Sequence, residues 1–201
     1  MTTQSVRTPQ GERTRAMRSR LMEATVDCLV EFGWAGTTTT VVSQRAGVSR
    51  GAQLHHFPSK KDLVVAAVEH LSERRREELV DAARSLPVES RTRAVLEILS
   101  KQFTGPVFFA ALELWVAARS DADLRETVGP LEDRIGRDTH KRAVELLGID
   151  ESLGDNRALV QSTLDLMRGL GLAASLSDDT RRRTKLLDTW ADVLDAQIER
   201  S

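Results

Sequence analysis

Side chains that can bind phosphate or the edges of bases are concentrated between Thr37 and Lys61, in the segment TTTTVVSQRAGVSRGAQLHHFPSKK. Threonine and serine hydroxyls bond phosphate oxygens, and arginine contacts either phosphate or bases. The hydroxyls of Thr38–Thr40 come where a short helix would begin, so they can cap that helix and also bond phosphate. Arg50 directly follows Ser49, the expected N-cap of a second short helix. These residue types and their spacing indicate contact with a polyanion.

Two short helices joined by a tight turn would position these groups. Gly47 lies between the helical stretches Val41–Ala46 and Arg50–His56, and it can adopt a positive φ at no steric cost. Apolar residues around the turn can be buried together and so set the angle between the helices: Val41, Val42, Ala46, Val48 and Phe57. This is the layout of a helix-turn-helix. Its second helix has the width of a DNA major groove, and its first turn has free N–H groups that favour phosphate.

The charges are unevenly divided along the 201 residues, although the net charge is only −1. Residues 1–61 carry nine basic and four acidic side chains, whereas residues 62–201 carry 20 basic and 26 acidic ones. A basic first third joined to an acidic remainder suggests two roles in one chain, and the basic part is the candidate for polyanion contact. The single cysteine, Cys28, excludes an internal disulfide and lies on the apolar stripe of the first predicted helix.

Helical periodicity extends through nearly the whole chain, and the only run with β propensity is Thr37–Val42. The expected fold class is therefore all-α, with about nine helices. Glycine and proline separate the helices, most clearly at Gly47, Pro58 and Gly129-Pro130. The predicted helices are Thr14–Phe32, Val41–Ala46, Arg50–His56, a long helix capped by Ser59 and running to about Ala83, Arg91–Phe103, Pro106–Arg119, Asp121–Val128, Leu131–Leu147, Asn156–Ser175 and Asp179–Glu199.

The run from about Arg15 to Arg75 resembles the DNA-binding head of the TetR family of transcriptional regulators. The matching residues are Phe32-Gly33, Gly36-Thr37-Thr38-Thr39, Ala46-Gly47-Val48-Ser49-Arg50-Gly51, His56-Phe57 and Ser59-Lys60-Lys61-Asp62-Leu63. The resemblance implies a flexible N-terminal arm over 1–13 and a three-helix helix-turn-helix DNA-binding head over 14–75. A C-terminal helical core for ligand binding and dimerisation would follow over 76–201.

The resemblance also implies a function, that of a homodimeric, sequence-specific DNA-binding transcriptional regulator. It would be a repressor that a small molecule releases from a palindromic operator. The implied partners are double-stranded DNA, a small-molecule effector and a second copy of the chain, bound through the last two helices. No enzymatic activity, cofactor or metal is expected. Because residues 1–11 are polar and no apolar run of about 18 residues occurs, we expect a cytoplasmic protein without a membrane span.

Carried over position by position, the resemblance predicts DNA contacts at Thr38, Thr39, Thr40, Ser49, Arg50, Gly51, Leu54, His55, His56 and Lys60. Gln53 is added as a contact with two readings open. If it points inward, where the family often has leucine, its amide costs stability unless it is hydrogen-bonded. If it faces outward, it shares a helical face with Arg50 and His56 and can read adenine.

A second candidate site lies in the aromatic segment of the C-terminal core. Four of the eight aromatic residues fall between Phe103 and Trp115, with Glu113 among them. One reading is a packed core; the other is an apolar ligand pocket in which Glu113 and His140 orient the ligand. The predicted pocket residues are Phe103, Phe109, Leu112, Glu113, Trp115, His140 and Met167.

Two other functions are weighed against DNA binding. Gly47-Val48-Ser49-Arg50-Gly51 matches the G-x-S-x-G nucleophile elbow of serine hydrolases, but such an elbow needs a preceding strand that the pattern does not predict. A helical interaction protein that does not bind DNA is the third class. Gly169 and Gly171 belong to a glycine-rich run like a dinucleotide fingerprint, which a close contact between helices explains better.

Overall fold

The computed structural model describes residues 10–83, 86–87 and 89–198. Within this part of the chain, all regular structure is helical, which confirms the predicted fold class. The helices are α1 (Gln10–Gly36), α2 (Thr39–Ala46), α3 (Arg50–His56), α4 (Lys60–Ala83), α5 (Arg91–Phe103), α6 (Pro106–Ser120), α7 (Ala122–Leu147), α8 (Asn156–Ala174) and α9 (Thr180–Gln197). Two compact units divide between Leu71 and Ser72, inside α4. The predicted boundary after residue 75 lies in the same helix.

The N-terminal unit is built from α1, α2, α3 and the first part of α4. Its core contains leucines of α1 and α4 together with Val42 of α2 and Phe57, which follows α3; Val42 is completely buried. Ser59 caps α4: its hydroxyl accepts from the N–H of Asp62 at 3.0 Å and donates to the Asp62 carboxylate at 2.7 Å. The predicted cap is confirmed, and it sets where α4 begins relative to α3.

The C-terminal unit is organised around α5, which contacts α6, α7, α8 and α9. Its buried face includes Leu96 and Leu99, which pack in one apolar core with Leu164 of α8 and Leu194 of α9. The indole N–H of Trp190 donates to the hydroxyl of Thr163 at 2.9 Å and so links α9 to α8. Polar bonds at the margin therefore add to the burial that holds the last two helices against α5.

Gly171 of α8 lies at a close approach between helices in this unit. A Cβ atom at this position would lie 2.1 Å from the carbonyl oxygen of Phe103 and 2.6 Å from the Phe108 ring. The small residue is required by this contact, which confirms the reading of Gly171 as a packing residue. Gly169 differs, because a Cβ there would meet nothing within 4 Å.

The first two helices begin earlier than predicted, α1 at Gln10 instead of Thr14 and α2 at Thr39 instead of Val41. Residues 10–13 form the first turn of α1, so the part of the predicted arm that is described is helical; residues 1–9 lie outside the described residues. Gly33 ends the regular part of α1 with φ 64° and ψ −176°, as predicted. Glu199, the predicted end of the last helix, lies outside the described residues.

The predicted break at Gly129-Pro130 is wrong, because α7 continues through both residues. Pro130 lacks the N–H that would bond the carbonyl of Glu126. Glu126 and Pro130 are both exposed residues, so water can satisfy that carbonyl. Leu124, Val128 and Leu131 meanwhile continue a buried stripe at helical spacing across the proline, which keeps the helix packed.

In the part of the chain that is described, no single helix is both long and apolar enough to cross a lipid bilayer. Helices α5 and α6 satisfy those criteria only together, and the pair bends by 56°.

Candidate DNA-binding surface

The turn between α2 and α3 has the predicted geometry. Gly47 adopts the left-handed conformation, with φ 62° and ψ 39°, and its N–H donates to the carbonyl of Gln44 at 3.2 Å. The next N–H, of Val48, donates to the carbonyl of Ser43 at 3.0 Å. These bonds close α2 and redirect the chain into α3. Any residue with a Cβ at position 47 would be strained at this φ.

Hydroxyl caps define the start of both short helices. The Thr38 side chain accepts from the N–H of Val41, and the Ser49 side chain accepts from the N–H of Ala52, each at 3.2 Å. Both hydroxyls are therefore committed as acceptors to the backbone, although both residues are exposed and can still donate outward. The caps fix the helical phase of α2 and α3, and with it the direction in which each side chain points.

One face of α3 is exposed, and it carries four of the predicted DNA contacts. Residues at positions i, i+1, i+4 and i+5 of a helix share a face, and in α3 these are Arg50, Gly51, Leu54 and His55. The opposite face carries Gln53 and leads into Phe57, which is only 3% exposed. His56 is half-buried, and its ring meets that of His55 edge to face with 5.1 Å between centroids.

Gln53 is fully buried, which makes its prediction as a DNA contact wrong. Its amide Nε2 donates to the carbonyl of Phe57 at 2.7 Å, so the inward reading describes the molecule. The hydrogen bond helps to close the C-terminal end of α3. The Oε1 atom of the same amide is buried without a hydrogen-bond partner in the described structure, which carries a free-energy cost.

The remaining predicted contacts lie at the starts of α2 and α4. Thr38 and Thr40 are exposed, and Thr39 is half-buried. The amine of Lys60 lies over the indole ring of Trp34, 3.9 Å from its centroid, and donates to the Trp34 carbonyl. Burial lowers the pKa of Lys60 from its usual value. The contact with Trp34 thus ties the start of α4 to the end of α1.

Sequence reasoning missed three cation–aromatic contacts in this unit, one of which places the Arg45 guanidinium over the ring of Phe32, 5.2 Å from its centroid. Trp34 was not expected to hold Lys60, and the Arg18 guanidinium lies over the ring of Phe57, 4.8 Å from its centroid. Lys60 and Trp34 are 26 positions apart in the chain, and Arg18 and Phe57 are 39 positions apart. No local periodicity connects residues so far apart, so such contacts become visible only in the folded structure.

The nucleophile elbow predicted for a serine hydrolase is not formed. Residues before Ser49 belong to α2 and the Gly47 turn, and the described residues contain no strand that could support an elbow. The Ser49 hydroxyl accepts from a backbone N–H as a helix cap. The G-x-S-x-G spacing arises because the turn residue Gly47, the helix cap Ser49 and the exposed Gly51 of α3 follow one another at intervals of two.

In the C-terminal unit, the predicted ligand residues are divided between the core and its edge. Phe103 and Met167 are buried in the apolar core, and Phe109 and Trp115 pack against it. Phe108, which the prediction omitted, links the aromatic rings: its centroid is 5.5 Å from that of Phe103 and 5.8 Å from that of Trp115. Leu112 and Glu113 are half-buried.

Glu132, which the prediction omitted, is hydrogen-bonded to this aromatic cluster. Its Oε2 accepts from the indole N–H of Trp115 at 2.9 Å. Burial raises the pKa of the Glu132 carboxyl, while the Trp115 hydrogen bond and the charge of Arg168 oppose that rise. The only sequence signal was the indole itself, since a largely buried tryptophan N–H needs an acceptor.

His140 has polar neighbours. Its Nε2 lies 2.7 Å from a carboxylate oxygen of Glu151. It also lines an open cavity of about 410 Å³ together with Gly154, Asp155, Arg157, Ala158 and Gln161. None of the predicted aromatic residues lines this cavity, so His140 does not meet them there.

Comparisons with known proteins agree with the geometry of the N-terminal unit. A sequence profile described as bacterial regulatory proteins, tetR family, matches residues 21–67. The HTH-type transcriptional regulator CymR of Pseudomonas putida is 32% identical over 197 residues, covering 93% of both chains. The chain belongs to the TetR family of bacterial regulatory proteins. It is therefore a DNA-binding transcriptional regulator.

Solved structures share the fold of this TetR-family chain. A transcriptional regulator from Pseudomonas aeruginosa PAO1 is 25% identical, with a TM-score of 0.70 and coverage of 97% of this chain and 96% of that one. A regulator from Saccharomonospora viridis, solved in complex with choline, is 18% identical, with a TM-score of 0.68 and coverage of 95% and 100%. At that identity, the second structure supports the all-helical architecture alone.

Proposed function

We propose that this TetR-family regulator is a homodimeric repressor that a small molecule releases from a palindromic operator. The observation that carries the DNA-binding part is the exposed face of α3, which displays Arg50, Gly51, Leu54 and His55 while Gln53 and Phe57 anchor the opposite face. A side chain that reads bases must be both free and rigidly placed, and the Gly47 turn and the Ser49 cap provide the second condition.

In this proposal, the contacts divide into base and phosphate groups. Arg50, Gly51, Leu54 and His55 face base edges, because they share the exposed side of the recognition helix. Thr38, Thr39 and Thr40 bond phosphate from the start of α2, together with Ser49, His56 and Lys60. Phosphate contacts set the position of the helix in the groove, and base contacts set the sequence.

The second copy binds through α8 and α9. Apolar side chains remain exposed in this region, including Leu172 at 52% and Val193 at 38%. An isologous pair of two-helix faces would bury them in a four-helix arrangement. A dimer with two-fold symmetry explains a palindromic operator, since each recognition helix then reads an identical half-site about 34–36 Å from the other.

The small-molecule effector binds in the C-terminal unit, and the residues that we propose for it include Phe103, Phe109, Leu112, Trp115 and Met167. The polar groups Glu113 and His140 complete the proposed set. An effector that binds better to a state with the wrong spacing of recognition helices lowers operator occupancy. To reverse a 99:1 population it needs about 5.5 kcal/mol of differential affinity.

We also propose that the chain is not an enzyme and acts in the cytoplasm. The family membership and the use of the Ser49 hydroxyl as a helix cap support the first point. A hydrolase would instead need that hydroxyl free beside a base and an oxyanion hole.

The direct test is titration of a labelled duplex from the vicinity of the chain's own gene, at several salt concentrations. Binding should weaken steeply with salt, because phosphate contacts release counterions. Arg50→Ala should weaken binding about 5- to 150-fold without changing the thermal melt, since a good arginine–base contact is worth about 1–3 kcal/mol. Ser49→Ala should weaken DNA binding, because it removes the cap of α3, and it should leave any background rate of ester hydrolysis unchanged. An esterase rate that disappears in Ser49→Ala, with no duplex bound, would favour the hydrolase.

A further inference from the structure

Leu54 is the one large apolar residue among the four exposed residues of α3. It is 40% exposed, although leucine is usually buried, and its neighbours on the same face are Arg50, Gly51 and His55. Two hydrogen bonds fix the orientation of α3. The Ser49 hydroxyl accepts from the N–H of Ala52, and the Gln53 amide donates to the carbonyl of Phe57. Leu54 cannot therefore turn into the core without breaking α3.

The chemistry of a leucine side chain limits what Leu54 can recognise on DNA. It has no donor or acceptor, so it cannot bond phosphate oxygens or the polar edges of bases. In the major groove, the one strongly apolar group is the C5-methyl of thymine, and apolar side chains are the ones that contact it. A guanine, adenine or cytosine edge placed against Leu54 would lose water without gaining a hydrogen bond.

The residue next to Leu54 on this face leaves room for such a contact. A Cβ atom on Gly51 would meet nothing within 4 Å, so nothing inside the protein requires glycine there. The missing side chain lowers the surface between Arg50 and Leu54. A base pair can thereby approach the helix closely enough for Leu54 to touch a methyl group.

We infer that Leu54 is a specificity-determining residue that reads the C5-methyl group of one thymine in each operator half-site. This inference deepens the proposed function, because it assigns a base chemistry to the exposed face of α3. It requires α3 to enter the major groove. It does not depend on repression, on the effector or on how the second copy binds.

The experiment uses the full-length chain and duplexes that the chain itself selects from a random library. In the selected duplex, each thymine is replaced in turn by deoxyuracil, which differs only by loss of the C5-methyl group. Binding is measured for the wild type, Leu54→Ala, Leu54→Met and Val30→Ala. Val30, on α1, is the matched control because it is similarly exposed, at 45%.

With the wild type, deoxyuracil at one thymine per half-site should weaken binding about fourfold, the value of about one buried CH₂ group. Leu54→Ala should bind the thymine duplex about as weakly as the wild type binds the deoxyuracil duplex. Replacing that thymine by deoxyuracil should not weaken binding by Leu54→Ala any further. Leu54→Met, which remains apolar and long, should keep the preference for thymine. Val30→Ala should behave as the wild type at every position.

Two results would overturn the inference. In the first, deoxyuracil weakens binding by Leu54→Ala as much as it weakens binding by the wild type; in the second, it weakens binding by the wild type at no position. Either result leaves DNA binding intact and removes only the role of Leu54. If no duplex is enriched from the library, DNA binding and the inference fail together, so the two failures are distinguishable.

Discussion

At the scale of single residues, the orientation of two polar side chains in the N-terminal unit follows from one nearby hydrogen bond each. Gln53 points inward because the carbonyl of Phe57 accepts from its amide. The Lys60 amine lies on Trp34 and has both an aromatic face and a carbonyl as partners. Such assignments decide which side chains remain available to DNA.

Gly51→Ala tests whether glycine at this position serves folding stability or DNA binding. Because a Cβ there meets nothing within 4 Å, alanine should stabilise the head by up to about 1 kcal/mol through its higher helix propensity. DNA binding should nevertheless weaken, because the methyl group occupies space that a base pair needs. Thermal unfolding and duplex titration measure the two effects. A variant that is both more stable and an equally good binder would show that the glycine has no role in DNA contact.

Glu132→Gln tests the carboxylate beside Trp115. Burial raises the folded-state pKa of Glu132, so its proton is held more tightly in the folded chain than in the unfolded one. The stability from this group is fully present below the unfolded pKa and is lost as pH rises through the raised folded pKa. Glutamine stays neutral and can still accept from the indole. The variant should therefore be more stable than the wild type at pH 7, with the difference shrinking in acid, as urea unfolding at several pH values would measure.

A lower stability of Glu132→Gln at neutral pH would contradict this reading. It would mean that attraction to Arg168, which opposes the rise in pKa, outweighs the cost of burial.

At the scale of helices, packing decides where small residues are required and where prolines are tolerated. Gly171 is needed because α8 passes close to the backbone at the end of α5. Pro130 is tolerated because it and Glu126, whose carbonyl it leaves without a donor, are exposed residues that water can reach. In both cases the surroundings of the residue, more than its intrinsic propensity, determine the helix.

Gly171→Ala and Gly169→Ala form a matched pair on α8. At position 171 the new methyl group would lie 2.1 Å from a backbone oxygen of Phe103, and the helices must separate. We expect a loss of about 1–3 kcal/mol in the free energy of unfolding. At position 169 the methyl group is unopposed, and a gain of up to about 1 kcal/mol is expected. Chemical denaturation of both variants measures the contrast, and equal effects would rule out the close contact as its cause.

Apart from the break at Gly129-Pro130, the sequence alone predicted the helix order, the Gly47 turn, a hydroxyl cap among Thr38–Thr40 and the Ser49 and Ser59 caps, because these depend on residues within four positions of each other. It did not decide the direction of Gln53, since that depends on how α3 packs against the rest of the head. It also missed Glu132 as the partner of Trp115, 17 positions away. Local signals thus predict elements well, and they predict poorly the polar contacts that only packing creates.

At the scale of the whole molecule, the exposed apolar residues near the C-terminus are the clearest sign of assembly. Leu172, Leu176 and Val193 are all exposed in or next to the last two helices. Isolated exposed leucines and valines are common, whereas a group of them on two neighbouring helices is the kind of surface that a protein partner covers. The proposed dimer uses this surface.

Val193→Asp should break the dimer, whereas Val116→Asp should not. Both valines are exposed, at 38% and 59%, but only Val193 lies on α9. An uncompensated charge buried in the interface costs about 3–5 kcal/mol, which corresponds to about a 100-fold or larger rise in the dimer Kd. Light scattering after size-exclusion chromatography gives the mass of each variant. A dimeric Val193→Asp protein would place the interface elsewhere.

The burial of Cys28 has a practical consequence for measuring the spacing of the two heads. Cys28 is the chain's single cysteine, it is fully buried, and burial raises its thiol pKa, so maleimide and methanethiosulfonate reagents should leave it unmodified. A cysteine introduced at exposed Val30 would then be the sole labelled site in each protomer. Two nitroxide labels per dimer would report the head-to-head distance by pulsed electron resonance, with the unsubstituted chain as the blank.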